Sequence, residues 1–253
     1  MPFVVLNRHM RFDIITIFPK IFDSYFNESL FKRAQKNKIL KIFAHNLRDF
    51  TLDKHRKVDD SPYGGGPGMV LKFEPISKAV SSIKCPASGE ARHGRQVSGN
   101  PDAKWSGFRP KRWGEKKTRV ILFSTRGKKF NEKVAQRLAK YDQLIFICGR
   151  YEGVDERVAK YIVDEEISIG DYIVSGGELP AMVVIDAVSR KLKGFLGKHE
   201  SLEEVKGSYP VYTRPEAWTI KGKRLRVPGV LLNGNHKEIN AWRRRAGGKR
   251  LLS

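Results

Sequence analysis

Cysteine and long apolar runs are both scarce in this sequence. Only Cys85 and Cys148 occur among 253 residues, and neither has a partner at a metal-ligand spacing. No segment has the pattern of a secretory signal, and no run is apolar for long enough to cross a membrane. We therefore expect two free thiols, with Cys148 in a core segment, no metal site, no membrane partner and a reduced, cytoplasmic setting.

Acidic residues are also few. The chain has 27 Asp and Glu against 49 Lys and Arg, which gives a formal net charge of +22. Residues 84–119 carry ten basic and three acidic residues, and residues 219–253 carry ten and one. Nucleic acid explains such clustering, because basic side chains that bind phosphates release counterions. The alternatives are solubility or an anionic membrane surface, although the sequence has no basic amphipathic helix with an aromatic face.

Familiar catalytic and nucleotide-binding motifs are missing as well. The sequence contains no Walker A motif, no GxGxxG that opens a helix after a strand, no HExxH, no GxSxG and no paired CxxC. Each of these motifs marks a particular chemistry. Their absence argues against P-loop hydrolysis, standard dinucleotide binding, zinc proteolysis and serine hydrolysis.

Apolar residues make up 40% of the chain, which is enough for a folded core. Apolar, β-rich runs predict strands at 11–18, 40–45, 119–125, 143–148 and from 165 onward. Helical spacing or capping predicts helices at 21–31, 74–83, 131–141, 155–161 and 178–192. Because strands and helices alternate, we expect an α/β fold with a mostly parallel sheet and flanking helices.

Changes in composition divide the chain further. Residues 1–9 are predicted to be an N-terminal extension, and residues 10–193 the main domain. Residues 84–118 have no apolar period and are rich in Gly, Pro, Ser and basic residues, so they are predicted to be a surface insertion or a disordered loop. A polar linker at 194–209 leads to a short basic domain at 210–253, with a helix near 238–245.

Three glycine-rich turns are the most unusual feature. They lie at residues 62–69, 148–157 and 168–180. In α/β folds, ligands bind at the carboxyl ends of the strands, where glycine lets a ligand approach bare backbone. The turns therefore predict a small-molecule site, with ordinary tight turns as the alternative.

Five segments of the sequence resemble one family in order. They read DDSPYGGGPGM, CGRYEGVDERV, SIGDYIVSGGELPAMVVIDAVSR, YTRPE and VPGVLLNGNHKEINAWR. They are similar to the bacterial tRNA (guanine-N1)-methyltransferases of the TrmD type, from about residue 10 to residue 243 without the insertion. The resemblance implies a SPOUT trefoil-knotted α/β domain with a small helical C-terminal domain, acting as a homodimer. It further implies S-adenosylmethionine as cofactor, magnesium as a further candidate, and methylation of N1 of guanosine 37 in the tRNA anticodon stem-loop.

The resemblance also assigns a cofactor pocket to three segments of this chain. Backbone groups there would read the adenine edge, and missing side chains would leave room for a bent ligand. The implied residues are Leu122, Phe123, Ser124, Gly149, Tyr151, Glu152, Gly153, Ile169, Gly170, Tyr172, Val174, Gly176, Gly177 and Pro180.

Catalysis needs a base, because guanine N1 carries a proton at neutral pH, and a cation, because charge then develops toward O6. By resemblance the cation is Arg190, which otherwise would complement a helix dipole. The family has an acidic base in the linker, but a gapless alignment places Val205 there. A shift of one residue makes Glu204 the base, with Glu203 beside it. Alternatively both glutamates are solvated charges.

The family also implies residues that bind tRNA. In the first glycine-rich segment and the C-terminal domain these are Asp59, Asp60, Tyr63, Arg214, His236 and Arg243. Arg48 and His55 are candidates for phosphate contacts or for a salt-bridged loop, and Trp242 for tRNA binding or packing. Aromatic residues among the charges of 84–118 suggest an additional RNA-binding arm.

Two rival functions follow from these residues. Val205 favours a catalytically weak RNA-binding relative that keeps the SPOUT fold. A SPOUT enzyme acting on ribose or ribosomal RNA is a third candidate, against which YTRPE and the GGGPGM loop argue.

Overall fold

The computed structural model describes residues 9–84, 94–96, 117–196 and 209–246, and for 94–96 the description covers the backbone. The chain divides into two compact units, Met1–Phe195 and Leu196–Ser253. The predicted N-terminal extension and most of the predicted linker lie outside the described residues.

The first unit is built on a six-stranded sheet. Its strands run in the order β5–β2–β1–β7–β6–β8, and all neighbours are parallel except β5, which is antiparallel to β2. A separate hairpin is formed by β3 and β4. The strands are β1 (Met10–Thr16), β2 (Leu40–Asn46), β3 (Asp59–Asp60), β4 (Val70–Leu71), β5 (Gly94–Gln96), β6 (Thr118–Lys129), β7 (Gln143–Ile147) and β8 (Glu165–Ser168). The predicted α/β fold with a mostly parallel sheet is confirmed.

Helices flank this sheet at the predicted places, with one exception. The predicted helix at 21–31 is divided into a 3-10 turn at Pro19–Phe22 and two helices, the second of which begins at Ser29 with a positive φ of 46°. Asn131 caps the fourth helix as predicted, because its side chain accepts a hydrogen bond from Val134 N. The helices are α1 (Asp23–Phe26), α2 (Ser29–Lys36), α3 (Phe73–Lys84), α4 (Glu132–Leu138), α5 (Glu156–Tyr161) and α6 (Glu178–Ser189).

Both faces of the central strands are apolar. Ile145 and Ile147 on β7 belong to a buried cluster with residues of α3 and of α5. Phe146, between them, points to the opposite face and stacks with Phe12 and Phe123. Strands buried on both faces read as nearly continuous apolar runs, and this explains why sequence alone located β6 and β7.

Two strands differ from the prediction. The segment 84–118 was expected to contain no regular element, but residues 94–96 form β5 at the edge of the sheet. Backbone hydrogen bonds alone are enough to add a short edge strand. Such a strand therefore needs no apolar pattern from which it could be predicted. Strand β6 continues to Lys129 beyond the predicted end at 125, because Lys128 and Lys129 also pair with β8.

The second unit has a hairpin and a helix among its described residues. Strands β9 (Ala217–Ile220) and β10 (Lys223–Arg226) are antiparallel, and Lys221 and Gly222 turn between them with φ of 48° and 75°. Helix α7 (His236–Ala246) includes the predicted helix at 238–245 and buries Ile239. The hairpin was not predicted. Across the described parts of both units, every helix is too short or too polar to span a membrane.

Candidate functional site

The glycine-rich turns follow parallel strands at the same edge of the sheet. Residues 148–154 follow β7 and residues 169–177 follow β8. Because the carboxyl ends of parallel strands meet at one edge, these turns lie on the side where α/β folds bind ligands. Hydrogen bonds between the turns show that they are in contact.

The turn after β7 and the turn before α6 pack backbone against backbone. Gly177 N donates a hydrogen bond to Gly149 O at 2.9 Å. A Cβ atom added to Gly177 would lie 2.6 Å from Cys148 Cα. That contact is too close for any side chain, so glycine is required at position 177 for this approach.

The first glycine-rich loop, which joins β3 to β4, docks on the same turn. Glu152 N donates to Met69 O at 3.0 Å, and Leu71 N donates to Gly153 O at 3.0 Å. Gly68 has a φ of +82°, and a Cβ there would lie 2.6 Å from Glu152 Oε1. The loop 62–71 is thus held against the residues that the resemblance assigns to the cofactor.

The end of β6 is tied to the turn after β8. Phe130 N donates to Ser168 O at 2.7 Å, and Lys129 pairs with Asp171. Within the turn, Gly170 N donates to Ser168 Oγ at 3.3 Å and Tyr172 Oη donates to Ile169 O at 3.3 Å. The third predicted cofactor segment therefore adjoins the first.

The predicted cofactor residues fall into two groups. One group is buried beneath the turns, and its members are Leu122, Phe123, Gly177 and Pro180. The other lies in the turns and is half-buried or exposed: Ser124, Gly149, Tyr151, Glu152, Gly153, Ile169, Gly170, Tyr172, Val174 and Gly176. The structure brings the segments that carry both groups together at one edge.

Sequence reasoning missed an ion pair behind these turns. The buried Glu178 accepts hydrogen bonds from Thr16 Oγ1 at 2.7 Å and from Arg150 Nε at 2.9 Å. Both residues of the pair stand inside the recognised motifs. A carboxylate after two glycines at the start of an apolar helix was the available signal, since buried carboxylates need partners.

Arg190 lies far from the turns within its own chain. It caps the carboxyl end of α6, and this helix has twelve residues, which place its two ends about 18 Å apart. One turn before Arg190, Asp186 accepts a hydrogen bond from Tyr25 Oη at 2.7 Å. Burial and this hydrogen bond raise the pKa of Tyr25 to about 12. The candidate bases Glu203 and Glu204, with Val205, lie outside the described residues.

The tRNA candidates of the first unit lie around the β3–β4 hairpin. Asp59 and Asp60 form β3, and Tyr63 is fully exposed. Lys72 Nζ pairs with Asp60 at 3.1 Å, and its hydrogen bond lowers the pKa of that carboxyl. A cavity of about 430 Å³ is bounded by the chain on both sides of this hairpin, and its lining is Thr51, Leu52, Asp53, His55, Lys57, Lys72, Glu74 and Pro75.

The second unit presents its cations to solvent. Arg214 is exposed and is followed by a cis peptide bond to Pro215. His236 begins α7, and the Arg243 guanidinium lies 5.1 Å from the ring centre of Tyr209. The exposed cations of the hairpin and of α7 are Lys221, Lys223, Arg224, Arg226, Lys237, Arg243, Arg244 and Arg245. Trp242 packs against Tyr212 with ring centres 6.2 Å apart, which favours the packing role.

Two other chemistries find no support in the described residues. Cys148 is buried, and burial raises the pKa of its thiol, so it is not poised as a nucleophile. Within 9–84, 117–196 and 209–246, no three His, Cys, Asp or Glu side chains are grouped so that they could hold a metal ion.

Comparison with known proteins agrees with this geometry. The family described as tRNA (Guanine-1)-methyltransferase TrmD matches residues 10–99 and 108–252. Only residues 100–107 of the predicted insertion at 84–118 are left outside the match.

Curated relatives match over nearly the whole chain. A protein of Dehalococcoides mccartyi is 45% identical over 248 residues, which are 96% of this chain and 88% of the relative. A protein of Carboxydothermus hydrogenoformans is 46% identical over 241 residues, 93% of this chain and 82% of the relative. Both are named tRNA (guanine-N(1)-)-methyltransferase. The chain therefore belongs to the tRNA (guanine-1)-methyltransferase TrmD family.

Proposed function

We propose that this protein transfers a methyl group from S-adenosylmethionine to N1 of guanosine 37 in tRNA. The observation that carries the proposal is the contact between the glycine-rich turns at the carboxyl edge of a parallel sheet, in a chain of this family. The names of the relatives give the substrate class and the modified atom. A cytoplasmic setting follows from tRNA as substrate.

The bare backbone of the turns fits an adenosine cofactor. Gly149 exposes backbone without a side chain, and an added Cβ would make an ordinary contact at 3.6 Å with Val154 Cγ1. Tyr151 and Tyr172 are about half exposed beside it. Backbone amides and carbonyls of the turns would bind the adenine edge and ribose. When bound, the cofactor supplies a methyl group on a positively charged sulfur, which leaves as a neutral thioether.

A trefoil knot is part of the proposal. Strand β8 is at one edge of the sheet, yet Glu178, ten residues after Ser168, is hydrogen-bonded to Thr16 on β1 in the middle. The chain thus crosses the carboxyl ends of β6 and β7. The end of β6 folds along β8, since Phe123 and Lys128 both register with Ile167. Threading α6 through this connection would lock the turns without a disulfide.

In this proposal one side chain accepts a proton and another stabilises the negative charge that develops. A linker carboxylate, Glu204, takes the proton from guanine N1. The N1 lone pair forms the new bond to the methyl carbon as the carbon–sulfur bond breaks. Negative charge that develops toward O6 is stabilised by the Arg190 guanidinium. No step depends on magnesium held by the protein.

The active site would be completed by a second subunit. Within one chain, Arg190 and the turns lie at opposite ends of α6, about 18 Å apart. A homodimer would bring Arg190 and the linker of the partner subunit to the turns. Exposed apolar residues near both ends of this helix would then be covered, namely Phe18, Ile21, Tyr25, Ile173, Leu179 and Val183.

The tRNA would span the domains that the sequence predicts. Residues 10–193 form the methyltransferase domain, 194–209 the linker and 210–253 the basic C-terminal domain, whose helical part includes α7. The exposed cations of the β9–β10 turn, of β10 and of α7 would bind phosphates of the anticodon stem-loop. Asp59, Asp60 and Tyr63 would contact the target base, and residues 84–118 would form an additional arm.

A catalytically weak RNA-binding relative is the second candidate. The observation in its favour is Val205 at the position of the base, because valine cannot accept a proton. In that case the fold and the cofactor pocket would be kept without efficient transfer.

One assay separates the candidates. The protein is incubated with cofactor labelled in its methyl group and a tRNA that has guanosine at position 37, or adenosine there as the control, and the labelled atom is mapped by nuclease digestion and mass spectrometry. We expect methyl transfer to N1 of guanosine 37 alone. Cofactor binding without transfer would support the weak relative, and absence of cofactor binding would contradict both.

A further inference from the structure

A buried carboxylate joins three segments directly behind the turns. Glu178 is 1% exposed, and it is the first residue of α6. Its Oε1 accepts a hydrogen bond from Thr16 Oγ1 at the end of β1, and its Oε2 accepts one from Arg150 Nε in the turn after β7. We infer that Glu178 and Arg150 are positioning residues that set the spacing of the two turns around the cofactor; the inference rests on the proposed function.

Arg150 carries the connection from one turn to the other. Its Nη1 donates to Ser175 O at 3.3 Å, two residues before Gly177. Its guanidinium lies 4.9 Å from the ring centre of Phe18, just beyond β1. In its own turn, the carbonyl of Arg150 accepts a hydrogen bond from Gly153 N at 3.0 Å. One side chain therefore contacts all the segments that Glu178 joins.

The space around this ion pair is fully used. A Cβ atom added to Gly176 would lie 2.6 Å from Arg150 Cδ and 2.7 Å from Glu178 Oε2. The pair thus fixes where the Gly176 and Gly177 backbone runs, and Gly177 in turn is hydrogen-bonded to Gly149. A movement of either charged group would shift backbone that we assign to the cofactor site.

The charges are matched to their location. The start of α6 favours a negative charge through its free N–H groups, and the partly buried Arg150 neutralises the buried carboxylate. Removing one member of a buried pair leaves the other uncompensated. Neither side chain is assigned a contact with the cofactor, so their effect is on the geometry of the site.

The test is Glu178→Gln, which keeps the size of the side chain but sets an amide NH₂ against a donor of Arg150 or Thr16. We expect the Kd for S-adenosylmethionine, measured by calorimetry without tRNA, to rise about ten-fold. The KM for the cofactor should rise by a similar factor, while kcat at saturating cofactor changes less.

Glu165→Gln is the matched control. Glu165 is also a largely buried carboxylate, paired with Arg137 at 2.6 Å and Arg119 at 3.1 Å. It is the first residue of β8 and so lies at the amino end of this strand, whereas the turns follow the carboxyl ends of the strands. Both substitutions remove an ion pair and lower Tm. We expect only Glu178→Gln to weaken cofactor binding, and equal effects of the two variants would overturn the inference.

A double-mutant cycle tests whether the two residues act together. Arg150→Gln and Glu178→Gln should each raise Kd, and the double variant should raise it no more than the stronger single variant. Arg150→Lys, which keeps the charge, should recover part of the affinity. Additive effects would overturn the inference.

Two further measurements distinguish a failure of the inference from a failure of the variant to fold and from a failure of the proposed function. If Glu178→Gln does not fold, Thr16→Val removes the hydrogen bond to Glu178, and with it the one that Thr16 Oγ1 accepts from Phe18 N, at similar volume. This variant should still raise Kd measurably. If Kd is unchanged in that variant and in Arg150→Gln, the inference is wrong although the wild type binds cofactor. If the wild type itself binds no cofactor, the proposed function fails.

Discussion

Single residues carry the chemistry that we propose, and Arg190 is the clearest of them. It is half-buried at the carboxyl end of α6, where a cation also complements the helix dipole. The Tyr25–Asp186 hydrogen bond one turn earlier orders this end of the helix. The residue can thus have two roles, and only kinetics distinguishes them.

We predict that Arg190→Ala lowers kcat about 100-fold or more, because a positioned charge that stabilises the developing oxyanion is lost. Cofactor affinity should be unchanged, since the turns are at the other end of α6. Single-turnover methylation and calorimetry measure the two quantities. Arg190→Lys, which keeps the charge without the planar fork, should give an intermediate rate. A purely structural role would instead lower Tm and leave the rate of folded enzyme intact.

Asp13 illustrates a residue that contributes to stability. It is fully buried on β1 and accepts hydrogen bonds from Arg11, His45 and Gln143, all at 2.7 Å. Burial by itself would raise the pKa of the Asp13 carboxyl, but the charge of Arg11 and the hydrogen bonds from His45 and Arg11 hold it well below its usual range. The ionised form is therefore stabilised by folding.

A carboxyl whose pKa is lower in the folded state stabilises the protein above its unfolded pKa of about 4, and this stabilisation is lost as the pH falls below that value. We predict that Asp13→Asn lowers the free energy of unfolding by about 3 kcal/mol at pH 7, since the partly buried Arg11 guanidinium loses its ion-pair partner. Urea unfolding at pH 7 and pH 3 measures both effects. The difference in stability between wild type and variant should shrink at pH 3; a difference independent of pH would contradict the assignment.

Elements position the site through backbone contacts, and α6 is the element that matters most. Its first turn is pressed against the end of β7, with Gly177 directly over Cys148. It also carries Glu178 at one end and Arg190 at the other. The helix thus connects both halves of the proposed active site.

We predict that Gly177→Ala lowers the free energy of unfolding by about 2 kcal/mol, because the new methyl group overlaps the Cys148 backbone. Cofactor affinity should fall with it, as the turn moves away from Gly149. Gly149→Ala is the control for stability, since its Cβ would meet only ordinary contacts. Denaturant unfolding of both variants decides the matter: equal stability losses would show that the close approach is unimportant.

At the scale of the whole molecule, the two compact units carry different parts of the proposed function. The first unit holds the sheet and the turns, and the second holds a hairpin and a helix whose cations are exposed. Residues 196–253 hold 13 Lys and Arg against 5 Asp and Glu, so this unit contributes +8 of the net charge of +22. We propose that the active molecule is a dimer, because Arg190 and the turn before α6 lie at opposite ends of this helix in one chain.

Mixing two impaired variants tests that dimer. Arg190→Ala keeps an intact pocket, and Gly177→Ala keeps an intact Arg190. After joint unfolding and refolding in equal amounts, half of the dimers should be mixed, each with one complete site, so activity should recover to about a quarter of wild type. Refolding each variant alone is the control. No recovery in the mixture, with mixed dimers present by native mass spectrometry, would place Arg190 and the turns of one chain in the same site.

The order of elements and the family could be read from the sequence. Strands such as β6 and β7 are buried on both faces, so their apolar runs are continuous. The start of α4 was predicted from Asn131, which is its N-cap. The edge strand β5 and the β9–β10 hairpin could not be located this way. They are held by backbone pairing, which requires no particular residue type.

The candidate site was determined in part by sequence and in part by tertiary structure. The motifs predicted the turns, because close backbone approaches and positive φ values both require glycine. This requirement is local, so it can be recognised from the residue type. The distance between Arg190 and the turn before α6 follows from the length of a helix that the sequence predicts. The Glu178–Arg150 pair came only from the fold. It depends on which segments meet across the sheet, and packing between residues far apart in the chain decides that.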